Sequence, residues 1–197
     1  IALALCLTPN IAIAATPYSH QQSGIALPDR IGGLERGELK EFQKEVDVMT
    51  EYLTADRSEV LSVYIFRNVS GNASLWFDRA SHVLENNETL GEKTAAYAPR
   101  SFVPKGQSNP SGLRVAYDLS GTRYKSSAIA IAPVEGWYVK IRASSVSQDS
   151  AAIDAWIDEA LAALTLPESI MKADDAAPIA PCADSLKFAA KTKALKD

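Results

Sequence analysis

Cysteine and histidine are scarce: Cys6, Cys182, His20 and His82 are the only ones among 197 residues. Thiolate and imidazole metal centres need several such ligands at fixed spacing. HExxH, paired CxxC and EF-hand patterns are all missing. The expectation is a protein with no metal and no cofactor. Asp78, His82 and Glu85 could share one helical face, but i,i+4 spacing of polar groups reads more simply as a solvated face. Nucleotide chemistry lacks its usual cradle, since neither a P-loop nor GxGxxG occurs. Nucleophilic catalysis is equally bare: GxSxG is missing and a Ser-His-Asp triad would have to use His82. Ser169-Ile-Met-Lys172 matches SxxK, but a KTG partner is missing and such a match is expected by chance.

Charge is missing from the first 28 residues, Asp29 being the first charged side chain. Residues 1–15, IALALCLTPNIAIAA, read as a cleavable signal peptide whose small-residue end offers a cut after Ala14 or Ala15. A buried N-terminal strand or the stub of a membrane anchor are the alternatives. The run is shorter than the roughly 20 residues a spanning helix needs, and Pro9-Asn10 interrupts it, so the mature chain is expected to have no transmembrane span. With neither Met nor a basic segment ahead of it, residue 1 is expected to fall within the signal. Leu5 before Cys6 argues against lipidation. Cleavage removes Cys6, and Cys182 alone cannot close an internal disulfide. The expected location is periplasmic or secreted. A net charge of −4 argues against sequence-independent binding of nucleic acid. Asn68, Asn72 and Asn87 each begin a glycosylation sequon, which reads as turn chemistry.

What is present is patterned apolar sequence. Residues 16–23 read as a mobile polar leader, and 24–35 as extended chain, with Pro28 and Gly32-Gly33 excluding a helix. Residues 38–54 fit both helical and strand periods; a strand over 46–53, paired with 59–67, is preferred. An amphipathic helix follows over 74–85, capped by Ser74, with Trp76, Ala80, Val83 and Leu84 as its apolar face. Residues 86–112 read as a long connection with a helical turn near 94–97. Strands at 113–119, 123–132 and 137–144 form a three-stranded antiparallel meander. A final helix, capped by Asp149 or Ser150, presents Ile153, Trp156, Ile157, Ala160, Leu161 and Leu164. The expected fold class is α+β: a largely antiparallel sheet, strand pair plus meander, flanked by two amphipathic helices. The domain spans 24–166, and 167–197 is expected to be a flexible Ala/Pro/Lys-rich tail.

Strand 59–67, helix 74–85, the GWYVKIRAS strand at 136–144 and the closing helix give this chain an order that resembles the α/β/α sandwich of PsbP-like and DcrB-like proteins. It is also similar to small exported bacterial proteins of unknown function. The resemblance implies an accessory, binding or assembly module, and it carries no functional residue across.

Candidate binding residues come from the meander. Tyr138, Lys140 and Arg142 share the strand face opposite Val139 and Ile141, while Arg114 and Asp118 lie opposite Leu113, Val115 and Tyr117. Were the two strands neighbours, Arg114, Tyr138, Lys140 and Arg142 would form a patch for a small anionic ligand or a partner's carboxylates. The plainer alternative is that these long side chains cover the sheet and pair with nearby acids. The expected function is an exported, non-catalytic accessory or binding module that engages a protein or an envelope component. Two alternatives remain. One is an enzyme with its site under 86–112, using acids or Ser101 and Ser108; the other is a peripheral envelope protein using the tail lysines Lys187, Lys191, Lys193 and Lys196.

Overall fold

Strands buried on at least one face and helices with one apolar stripe dominate residues 17–67 and 72–167, which the computed structural model describes. Residues 1–15, expected from sequence to be a signal peptide, lie outside the described residues, as do Cys6, Ser169, Cys182 and the chain past Pro167. In chain order the elements are β1 (Tyr18–Ser19), β2 (Ala26–Leu27), β3 (Arg30–Ile31), β4 (Leu34–Gln43), β5 (Asp47–Leu53), β6 (Glu59–Arg67) and α1 (Ala73–Glu85). A 3-10 turn (Glu88–Leu90) leads to β7 (Glu92–Ala95), β8 (Arg100–Phe102), β9 (Gly112–Ser120), β10 (Ser126–Val134), β11 (Trp137–Ser145) and α2 (Ser150–Ala163).

One antiparallel sheet in the order β3-β4-β5-β6-β11-β10-β9-β7, with β8 also on β9, forms the body. The expected β5–β6 pair and the β9–β10–β11 meander are both present, joined where β6 pairs with β11. Glu135 and Gly136 both take positive φ between β10 and β11, the geometry that matches a two-residue hairpin to strand twist. One sheet face carries Tyr52, Leu61, Val63, Ile65, Val139, Ile141 and the small Ala128 and Ala130. Those alanines let α2 seat Ile153, Trp156, Ile157 and Ala160 against the sheet. Each fully buried Ile there contributes about 1.5–3 kcal/mol of apolar burial. On the other face α1 packs Phe77 and Leu84 over β9 and β10, against Leu113, Val115, Ile129 and Ile131.

The preferred strand over 46–53 is present as β5, and the ambiguous residues before it belong to β4, where bulges between Arg36 and Leu39 and between Glu41 and Gln43 break the period of two. Three other sequence expectations change. The connection 86–112 is not helical near 94–97; it lays β7 and β8 along the outer edge of β9. Helix α1 is capped by Asn72, whose side chain accepts from the Leu75 N–H at 2.9 Å, and Ser74 is buried inside the first turn. Finally, residues 17–23 are not a loose leader. Tyr18–Ser19 pairs with Ala26–Leu27, and His20 is fully buried, its ring 4.8 Å from that of Trp137.

His20 Nδ1 sits 2.7 Å from Ser23 Oγ, whereas Nε2 is buried without a hydrogen-bond partner among the described residues. Burial holds the ring's pKa below its ordinary 6.5, while the Glu45 carbonyl and the Glu45 and Glu41 carboxylates oppose that shift. Unfolded chain therefore binds a proton that the native ring resists, and stability falls as pH drops below 6.5. Urea unfolding at pH 7.5 and 5.0 should show a loss of stability in the wild type that His20→Leu does not share. Equal losses in both proteins would refute this role for the ring.

Candidate functional site

Because α1 sits over β9 and β10, no helix among the described residues covers β5, β6 and β11 on that face of the sheet. The uncovered strands form the floor of a groove of about 400 Å³. That volume is in the range of small-molecule sites. Register decides what the floor presents. Met49, Tyr64, Lys140 and Ile131 lie in one row across β5, β6, β11 and β10, and Glu51, Ser62, Arg142 and Ile129 lie in the next; Glu51 pairs with Arg57 at 3.1 Å and is not part of the groove lining. The groove wall is Trp76, Ala80 and Val83 of α1, at i, i+4 and i+7. This stripe corrects the sequence reading: Val83 is 59% exposed, and the residues α1 buries against the sheet are Ala73, Phe77 and Leu84. Phe42 also lines the groove, from the end of β4, and is 64% exposed.

Aromatic contacts hold the lining in place. Phe66 packs edge-on against Trp76 with centroids 5.2 Å apart, and tilted against Tyr138 at 5.5 Å. The Lys140 ammonium lies 3.7 Å from the Tyr64 ring centroid, a distance at which the ring quadrupole attracts it. Arg79 of α1 stands 5.4 Å from the Trp76 ring. Lys140, Arg142 and Arg79 thus converge on a space lined by a single carboxylate, Asp47. None of the three cations forms an ion pair among the described residues. Lys140 has its pKa pulled down to about 8, chiefly by burial, with Arg142 and Arg79 pushing the same way and Asp47 against them. Burial likewise raises the Asp47 carboxyl, which Lys140 partly offsets.

Of the four residues anticipated from sequence, the structure brings Lys140 and Arg142 into this groove. Tyr138 is on the same strand face but buried at 3% exposure beneath Phe66. Arg114 is elsewhere, because β10 intervenes between β9 and β11 and its register puts Arg114 opposite Ala130 and so in line with Ile141. It therefore projects to the α2 face. There its Nε donates to Asp154 Oδ1 at 2.9 Å, its Nη2 to the Asp154 carbonyl at 3.1 Å, and its guanidinium also pairs with Asp158. Arg100 reaches Asp154 Oδ2 at 2.6 Å and the Tyr97 hydroxyl donates to the same carboxylate. This network lies beneath 86–112; Ser101 is half-buried in β8 and Ser108 is exposed.

Sequence reasoning missed Tyr64, Phe66, Trp76, Arg79 and Asp47. One signal was available in β6, where aliphatic Leu61, Val63 and Ile65 alternate with Ser62, Tyr64 and Phe66. A sheet covered on both faces does not need the second set to be polar and aromatic.

No protein-family model matches the chain, and no curated protein does. Among solved structures it is similar to the solution structure of cyanobacterial PsbP (CyanoP) from Synechocystis sp. PCC 6803, at a TM-score of 0.52 and 17% identity. The likeness covers 83% of this chain and 99% of that one. The resemblance drawn from element order therefore holds at the level of architecture: this chain has a PsbP-like α+β fold, a large antiparallel sheet with two helices packed against it.

Proposed function

We propose that the protein is an exported, non-catalytic binding module of the cell envelope whose groove takes a small anionic ligand with a flat apolar part. The observation that carries this reading is the convergence of Lys140, Arg142 and Arg79, unpaired among the described residues, with four aromatic side chains around one open volume. Three cations against one carboxylate contrast with the chain's net charge of −4. Guanidinium groups without a carboxylate of their own suit a ligand's carboxylate or phosphate. The aromatic wall suits the rest of the ligand, since flat rings stack at low entropic cost. The uncharged segment 1–15 supports the exported part of the reading.

Titration with 4-methylbenzoate and with its neutral analogue 4-methylbenzyl alcohol, followed by the Trp76 indole N–H in NMR spectra, tests the site. The carboxylate should move that signal saturably and with salt dependence, leaving the buried Trp137 and Trp156 signals in place. Arg142→Ala should weaken it by about ten- to hundredfold, the worth of a charge-assisted hydrogen bond. Equal affinity for the alcohol, or no response at Trp76, would defeat the proposal.

A further inference from the structure

The groove's most unusual group is a primary amine. Lys140 is half-buried at the centre of the floor, in line with Tyr64 and Ile131 rather than at the sheet's edge. A lysine placed only to cover apolar surface carries its ammonium out to water. Here the ammonium stays over the Tyr64 ring, inside the groove, with no carboxylate within 4 Å among the described residues. The charged and titratable groups facing it come from three directions: Asp47 and Tyr64 from β5 and β6, Arg142 from its own strand, and Arg79 from α1. Two guanidiniums and a desolvating aromatic setting are the surroundings that turn a lysine into a nucleophile.

We infer that Lys140 captures a carbonyl compound bearing an acidic group, as a reversible imine on the groove floor. This rests on the reading of the groove as an anion site and specifies the ligand's second functional group. Arg142 and Arg79 hold the ligand's carboxylate or phosphate, and the aromatic wall flattens its body toward the amine. The neutral Lys140 nitrogen attacks the carbonyl carbon, forming the C–N bond while the carbonyl π pair moves to oxygen. Transfer of one N–H proton to that oxygen gives the carbinolamine. The C–O bond then breaks, the hydroxyl leaving as water with a proton from Asp47, the one carboxyl in the lining. The nitrogen lone pair forms the iminium, and loss of its proton back to Asp47 gives the imine, so no oxidant or reductant is consumed. Burial keeps the Asp47 carboxyl closer to neutral pH than an exposed aspartate, which suits it to that exchange. While protonated, the iminium keeps a cation over the Tyr64 ring. Abundance of the reactive form is not limiting. With the amine's pKa at about 8, roughly one molecule in ten is neutral at pH 7, against about one in three thousand for an ordinary lysine.

The test uses the full chain, 4-formylbenzoate as probe and cyanoborohydride to trap imines, with adducts located by peptide mass mapping. Lys140 should be labelled at least tenfold faster than the exposed Lys40, Lys44, Lys105 and Lys125. Its labelling rate should climb between pH 6 and 8, and excess 4-methylbenzoate, which has no carbonyl, should suppress it. Lys140→Arg should abolish that adduct while leaving the exposed lysines to react as before. Labelling of Lys140 no faster than those lysines overturns the inference. If 4-methylbenzoate still shifts the Trp76 signal in that case, only the covalent step fails. If it does not, the anion site fails with it.

Discussion

Replacing Arg114 by Met is expected to cost about 3–5 kcal/mol of folding stability. Arg114 is 5% exposed and Asp154 8%, so the substitution strands a carboxylate that water cannot reach well. Arg100 and the Tyr97 hydroxyl remain on Asp154, which places the cost toward the lower end of that range. Urea unfolding of the variant measures it, and a loss under about 1 kcal/mol would show the network to be ornamental. The double variant Arg114→Met, Asp154→Leu should recover most of the deficit, since apolar groups of similar size can replace a buried pair at little cost. Acid gives a second handle. Burial works to raise the Asp154 pKa, but hydrogen bonds from Arg114 and Tyr97 outweigh it and hold the carboxyl below its usual 3.8. Its contribution is thus present above pH 3.8 and lost as pH falls through the native value. In Arg114→Met the carboxyl's native pKa rises instead, so the gap between variant and wild type should narrow as pH falls.

Lys140→Met is expected to do the opposite to stability while removing the groove's chemistry. The native pKa of about 8 lies below the ordinary 10.5, so folding costs free energy wherever the amine must stay charged. Methionine fills similar space without that cost, and the variant should be about 1–3 kcal/mol more stable at pH 7. The sign fixes the pH profile. Below pH 8 the advantage is full; between about 8 and 10.5 the unfolded lysine holds a proton the native one has released, so wild-type stability rises and the advantage shrinks. Above 10.5 it is gone. A stability gain paired with lost affinity for 4-methylbenzoate is the signature of a residue kept for binding. A destabilised variant with unchanged binding would assign Lys140 to the scaffold.

Strand β6 and helix α2 were legible because each carries a clear period: Leu61, Val63 and Ile65 at every second residue in one, and in the other an apolar stripe begun by a capping aspartate. Strands β7 and β8 were not. They are short edge strands with three or four mostly polar residues, and an edge strand has no buried face on both sides to write a pattern. His20 was misread for a related reason, since its burial comes from Trp137, far along the chain, and no local signal announces that.

The candidate site divides along the same line. That Tyr138, Lys140 and Arg142 share a face, and that Arg114 lies opposite Leu113, followed from the sequence by itself, because backbone pleating alternates side chains within any one strand. Likewise the antiparallel meander, the two amphipathic helices and the PsbP-like order of elements were determined locally, by turns and periodicity. Which faces of different strands coincide was decided only in the tertiary structure. A one-residue change in register moves a whole strand's side chains across the sheet, and register is set by cross-strand hydrogen bonds and packing. Insertion of β10 between β9 and β11, and its pairing of Arg114 with Ala130 and Ala130 with Ile141, sent Arg114 to the α2 face. The placement of α1 over β9 and β10 alone left Lys140 and Arg142 facing open space.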